Sequence, residues 1–349
     1  MSKPICVGIV GYGSSAKIFH FPIIQSVKGL QIKKVVQRSG RDARDNHPNI
    51  EIVQDLKDLL KDDLIDLVVI TTPNAIHYDQ ARLALLADKH VIIEKPMTLS
   101  VKEADGLIDL AEKRKRILTT YQNRRWDGDF LTLKKVIDSG RLGRNVEFIS
   151  NFNRFRNFQR KDAWKEKEVP GSGILYDLSP HLIDQALQLF GTPDTVYADI
   201  RKQREGSVVN DYFRIDFGYG DFNATLSAGM LVPEVSPRYI LRGTEGSYIK
   251  YGMDPQENTL KSGKNPLSKD WGVEEKENWG KLHLFEDGEI HTEDVETEVG
   301  GYENFYKNIA DAISGTDDLA VTPDQGREVI RMIELAQESH ELGKRVTVD

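Results

Sequence analysis

The sequence predicts two domains: a doubly wound parallel α/β domain over residues 1–122, and an α+β domain over 123–349 with a large, mostly antiparallel, open-faced sheet. Three observations carry this. A chain of 349 residues exceeds one ordinary core. Its first third alternates short β-rich runs with helical patterns, the rhythm of βαβ units. From about Asn123 onward, alternating strands joined by Gly-rich turns take over.

In the first domain, strands are expected over 5–10, 31–36, 67–71, 90–93 and 116–120, each nearly continuous in apolar or β-branched residues, as befits strands covered on both faces. Helical patterns lie between them at 16–26, 56–61, 75–87 and 100–113, the last opened by a Ser100/Glu103 capping box. The second domain begins with a helix over 127–139 and another over 180–190. Strands follow over 195–201, 212–217, 224–231, 238–243 and 246–250. Residues 252–300 are dominated by Asn, Lys, Glu, Asp and Gly and read as a long surface excursion. A final helix over 323–342 stops at Gly343, a favourable residue just past a helix end.

Composition narrows the function. No apolar run approaches the ~18 residues a membrane span needs, and the N-terminus lacks a signal-peptide pattern. A single cysteine, Cys6, allows no internal disulfide and no Cys-based metal site. A cytoplasmic protein without a metal is expected. With 47 Lys and Arg against 55 Asp and Glu, the net charge of -8 is opposite in sign to a nucleic-acid binder's. The expected partner is a small molecule, with neither nucleic acid nor membrane.

Gly11-Tyr12-Gly13-Ser14-Ser15-Ala16 follows a strand and opens a helix, the context in which G-x-G-x-x-A marks a dinucleotide site and the Rossmann fold. Gly11 permits the tight turn, Gly13 lets the backbone approach a pyrophosphate, Ala16 allows close helix-to-strand packing, and the helix N-terminus with Ser14 and Ser15 faces the phosphates. After the second strand the chain reads Gln37-Arg38-Ser39-Gly40-Arg41, with no acid before Asp42. Arg38 and Ser39 suit a 2′-phosphate, so NADP(H) is expected in preference to NAD(H). Thr72-Pro73-Asn74, with His77, and Glu94-Lys95-Pro96 fall at carboxyl ends of strands, where open α/β sheets bind ligands. Lys95 is there a candidate to hydrogen-bond a substrate oxygen.

Asp177, His181 and Asp184 stand at i, i+4 and i+7, one face if all share a helix. Pro180, with Ser179 as N-cap, is expected to open that helix, leaving Asp177 ahead of its first turn. Arg124, Arg125, Asn153, Arg154 and Arg156 lie on segments expected to flank a polyol pocket. Asp184 and Tyr302 join them as substrate candidates.

Taken together, the glycine fingerprint, Thr72-Pro-Asn-x-x-His77, Glu94-Lys-Pro96 and Asp177-x-x-x-His181 resemble the Gfo/Idh/MocA oxidoreductases over almost the whole chain. Lys17-Ile-Phe-His-Phe-Pro22, Gln122-Asn-Arg-Arg-Trp-Asp127, the run from Tyr176 to Gln185 and Lys250-Tyr-Gly-Met-Asp-Pro-Gln256 are similar to the subgroup of NADP-dependent scyllo-inositol dehydrogenases. The resemblance implies a catalytic triad of Lys95, Asp177 and His181. His181 would exchange the proton of the alcohol or ketone oxygen, Lys95 would polarise it, and Asp177 would orient its neighbours. It also implies that Glu94 meets the nicotinamide ribose, that Thr72, Pro73, Asn74, His77 and Asn123 line the cofactor, and that Trp164 and Lys165 lie against it. Two departures stand out: Lys165 where similar enzymes carry Arg, and Ser179 in place of a usual Gly. The expected activity is hydride transfer between NADP(H) and a hydroxyl-bearing carbon of a cyclic polyol or sugar. A non-catalytic NADP-binding regulator and a keto-sugar or anhydrosugar reductase are the alternatives. Association as a homodimer or homotetramer through the second domain's sheet is expected.

Overall fold

The computed structural model describes residues 3–349 except residue 162. They form two compact units, neither continuous in sequence. The first comprises 3–123, 256–271 and 301–330; the second comprises 124–255 apart from 162, 272–300 and 331–349.

The first unit begins with β1 (Ile5–Val10), a π-helical turn (Ala16–His20) and α1 (Phe21–Ser26), then β2 (Leu30–Val36), α2 (Asp42–Asn46), β3 (Glu51–Val53), α3 (Leu56–Leu60) and β4 (Leu67–Ile70). It continues through α4 (His77–Leu86), β5 (His90–Ile93), α5 (Val101–Arg114) and β6 (Leu118–Thr120). The six strands are parallel, in the order β3-β2-β1-β4-β5-β6. Chain direction across the sheet reverses between β1 and β4, so Gly11 and Thr71–Thr72 leave neighbouring strands at the crevice where such sheets bind ligands. β4 is buried at every position, and Val68, Ile70, Val91 and Ile93 pack with Ala81, Leu85 and Leu107 of the covering helices. The predicted strands and helices of this half all form. β3 and α2 were not expected: three residues and one short turn give too little periodicity to read.

The second unit contains α6 (Gly128–Asp138), β7 (Asn145–Asn151), α7 (Gly173–Phe190), β8 (Thr195–Arg201), β9 (Tyr212–Tyr219), β10 (Phe222–Gly229), β11 (Tyr239–Gly243) and β12 (Gly246–Lys250). The chain then returns to the first unit for α8 (Gln256–Lys261). β13 (Gly280–Glu286) and β14 (Glu289–Val295) belong again to the second, α9 (Glu303–Ser314) to the first. α10 (Pro323–Leu342) starts in the first unit and ends in the second, before β15 (Val346–Thr347). The sheet order is β14-β13-β12-β11-β7-β10-β9-β8-β15, antiparallel except for the β7–β10 pair.

Two expectations are corrected here. Residues 252–300 are not only a surface excursion, because β13 and β14 extend the sheet as a hairpin. β14 shows no apolar alternation because its residues are exposed on both faces. The helix expected from Pro180 in fact begins at Gly173, with Pro180 in its interior. Its first turn is held from a distance: Ile174 N–H donates to the Asn210 carbonyl (3.0 Å) and Leu175 N–H to the Asn210 side chain (2.8 Å). Gly173 sits at φ +78°, and a Cβ there would meet Asn210 Oδ1 at 2.6 Å, so glycine is required. Pro180 has no backbone donor, and just ahead of it the Ser179 hydroxyl donates to the Leu175 carbonyl at 2.5 Å.

Candidate active site

The first unit carries the nucleotide-type loop. Gly11 has φ +99° and a Cβ there would press on Thr71 at 3.0 Å, so no other residue fits. At Gly13 the space a Cβ would take is open to beyond 4 Å, leaving bare backbone with room for a phosphate group to approach. Ser14 is exposed and Ala16 is fully buried against the strands. Arg38 and Ser39 are both exposed just beyond β2. The nearest acid, Asp42, is already engaged: it accepts from Lys17 Nζ and from the Gln37 side chain, and these partners hold its pKa below the ordinary carboxylate value.

At the end of β5, Glu94 is the electrostatic centre of this unit. Its Oε1 accepts from the Ser15 hydroxyl and from His20 Nε2 (3.0 Å), and its Oε2 accepts from Lys95 N–H (3.0 Å). Burial raises the pKa of this carboxyl, but the hydrogen bond and charge of His20, with the Lys95 charge and Ser15, outweigh it and hold Glu94 down at about 2. Behind His20, Tyr306 of α9 lies 2.5 Å from Nδ1, and both side chains are fully buried. The Lys95–Pro96 peptide bond is cis. His77 is also fully buried, with Nδ1 2.9 Å from the Pro96 carbonyl and Nε2 2.9 Å from the Thr72 carbonyl. It lies between the two loops, and because burial pushes its pKa down, the neutral ring donates to one of these carbonyls. Thr72 donates to Gln80 at 2.6 Å; Pro73 is exposed, while Asn74 and Asn123 are buried. Tyr302 is fully buried at the head of α9, near Phe19 and Trp271.

The second unit carries the other candidates. Because α7 begins at Gly173, Asp177, His181 and Asp184 do share one helix and one face. Lys165 donates to Asp177 Oδ1 at 2.5 Å and stands over the Trp164 ring. Asp177 and Lys165 border a small cavity together with Ile174, Arg204 and Met230. His181, 7% exposed, stacks near Phe152, whose ring also has the guanidinium groups of Arg124, Arg154 and Arg238 each 5.1 Å from its centroid. Asp184 faces inward, where Arg125 grips it at both oxygens, Nε to Oδ2 at 2.9 Å and Nη2 to Oδ1 at 2.6 Å. Arg124 donates to Asp127 at 3.1 Å. Asn153 is occupied by the Ser236 hydroxyl and the Gly229 N–H. Lys95 belongs to the first unit, and Asp177 with His181 to the second.

Sequence reasoning assigned no role to His20, Tyr306, Phe152 or Arg238. His20 stood in the quoted 17–22 run, but its partners Glu94 and Tyr306 lie far along the chain. Among the described residues, no group of three or more His, Cys, Asp or Glu is placed to hold a metal ion, and no helix is long and apolar enough to cross a membrane.

Comparison with known proteins agrees with this geometry. The NAD-binding Rossmann-fold model of the Gfo/Idh/MocA oxidoreductases matches residues 5–122, and the C-terminal alpha/beta domain model of that family matches 134–348. The chain is 39% identical to the scyllo-inositol 2-dehydrogenase (NADP(+)) IolW of Bacillus subtilis, over 96% of this chain and 93% of that protein. It is 41% identical to the oxidoreductase YdgJ of Escherichia coli, over 97% of each. Among solved structures, the oxidoreductase yvaA of Bacillus subtilis superimposes with a TM-score of 0.96 at 38% identity, covering 99% of both chains.

Proposed function

The chain belongs to the Gfo/Idh/MocA oxidoreductase family, and from that premise we propose that it is an NADP-dependent dehydrogenase acting on a hydroxyl-bearing carbon of a cyclic polyol or sugar of the scyllo-inositol type. The observation that carries the reading is the placement of Asp177 and His181 one turn apart on the same face of α7, with Lys165 paired to Asp177. The NADP relative supports the cofactor choice, as do exposed Arg38 and Ser39 beside an acid already engaged by Lys17 and Gln37.

Gly11, Gly13, Ser14 and Ser15 would hold the pyrophosphate, Arg38 and Ser39 the 2′-phosphate, and Glu94 the nicotinamide ribose. Bound there, the nicotinamide supplies hydride transfer. His181 takes the proton from the substrate hydroxyl as the carbon is oxidised and returns it in the reverse direction. By the family resemblance, Lys95 would donate to a substrate oxygen and stabilise charge that develops on it. Asp177, gripped by Lys165, fixes the local field around His181. Arg124 and Arg154, stacked on Phe152, supply donors for ring hydroxyls. We further propose a cytoplasmic homodimer or homotetramer joined through the nine-stranded sheet.

The test is absorbance of the reduced nicotinamide with NADP or NAD against inositols, aldoses and polyols, with Lys95→Ala and His181→Ala as controls. Turnover of a cyclic polyol with NADP, lost in both variants while the cofactor still binds, is the expected result. Cofactor binding without turnover of any substrate in either direction refutes it.

A further inference from the structure

We infer that His20 is a positioning residue for the cofactor site: backed by Tyr306, it locks the Glu94 carboxylate between the phosphate loop and the catalytic-lysine turn. This rests on the dinucleotide reading above.

Three features of the chain place His20 there. The helix after the glycine loop is not α-helical at first. Phe21 N–H closes on the Ala16 carbonyl, five residues back, so Ala16–His20 form a π-turn. Such turns are energetically poor and persist chiefly at functional sites, because the extra residue re-aims a side chain. Here it turns His20 inward, to complete burial. Second, the hydrogen bonds around the ring are directional. Glu94 accepts at Oε1, so Nε2 carries a proton toward it; the Tyr306 hydroxyl, 2.5 Å from Nδ1, can accept from that nitrogen or donate to it, so both contacts are satisfied at once. Third, the other two donors to Glu94 come from the elements proposed to meet cofactor and substrate, Ser15 of the loop and the backbone of Lys95. Of Ser15, His20 and Lys95, His20 alone is fully buried, and its ring also meets Tyr121 at 4.4 Å between centroids. A buried donor with a second buried partner behind it cannot swing, so the orientation of Glu94 is set from inside the unit.

The experiment measures NADPH affinity directly, by fluorescence of the bound nucleotide, alongside melting temperature. His20→Leu is expected to weaken binding about tenfold or more, the loss of one hydrogen bond to a charged group. His20→Gln, which keeps a donor at the Nε2 position, is expected to stay within about threefold of wild type. In a Glu94→Gln background, His20→Leu is expected to cost no more than about a further twofold, since its action runs through the carboxylate. Wild-type affinity in His20→Leu, equal losses in the Leu and Gln variants, or multiplying effects of the two substitutions would each overturn the inference. Should His20→Leu not fold, Tyr306→Phe serves. It removes one oxygen, and is expected to weaken NADPH binding and to alter the ¹⁵N tautomer signal of His20; no change in either overturns the inference. If wild type binds neither NADPH nor NADH, the dinucleotide reading itself fails and this one falls with it.

Discussion

Asp184→Leu separates two roles for a residue that sequence reasoning placed in the substrate pocket. In the structure Asp184 is 2% exposed and Arg125 is 8% exposed, and two parallel hydrogen bonds of 2.9 and 2.6 Å join them. Asp184→Leu removes the carboxylate that accepts both of these charge-assisted hydrogen bonds from a buried guanidinium, at a cost of about 3–5 kcal/mol. For a domain of this size each kcal/mol lowers Tm by about 2–4 °C, so the expected fall is on the order of 10 °C. Replacing both partners, as Asp184→Leu with Arg125→Met, should recover most of that stability, because no charge is then stranded. Of the four tryptophans, Trp126, Trp164 and Trp279 lie in the same unit as the pair, so denaturant unfolding followed by tryptophan emission reports mainly on it. The outcome that refutes this reasoning is a single variant with stability within about 1 kcal/mol of wild type and a raised substrate KM. Asp184 would then be a substrate ligand and Arg125 an incidental neighbour.

Three further outcomes are expected. Glu94, held at about 2 against an ordinary 4.5, contributes about 3 kcal/mol that is complete above pH ~4.5 and is lost as pH falls toward ~2; acid unfolding of Glu94→Gln should lack this component, and an unchanged acid limb would contradict it. Gly13→Val places its side chain in open space, so Tm should stay within about 2 °C while NADPH affinity falls at least about tenfold in a fluorescence titration. Arg38→Ala should raise the KM for NADP about tenfold and leave that for NAD nearly unchanged; equal effects on both cofactors would remove Arg38 from the 2′-phosphate site.

The parallel sheet was legible because central strands such as β1 and β4 are nearly continuous apolar runs bounded by glycine or helix signals, and the loop chemistry at Gly11 and Gly13 is local. What escaped depends on partners far along the chain. The start of α7 is fixed by Asn210, dozens of residues away, so Pro180 looked like a first-turn proline when it sits mid-helix. His20 meets Glu94 at the end of β5 and Tyr306 on α9, both far along the chain, and α9 itself carried no recognised start signal. Asp184 looked available because a carboxylate on a helical face says nothing about an arginine that precedes it by dozens of residues. Local rules find strands and turns; cross-chain hydrogen bonds decide which polar groups remain for chemistry.

The nine-stranded sheet ends in two dissimilar edges, and both discourage growth by strand addition. At one, β14 is exposed and carries Glu289 together with Glu293 and Asp294, which pair with Arg141 and Lys281, so a neighbouring strand would have to desolvate charged groups. At the other, β15 is only two residues long, too short a template for a partner. A sheet this wide would otherwise be a ready seed for amyloid-like stacking when the protein is crowded or newly made. Its polar, truncated rims make side-by-side polymerisation unfavourable, so the sheet can be broad without becoming an aggregation hazard.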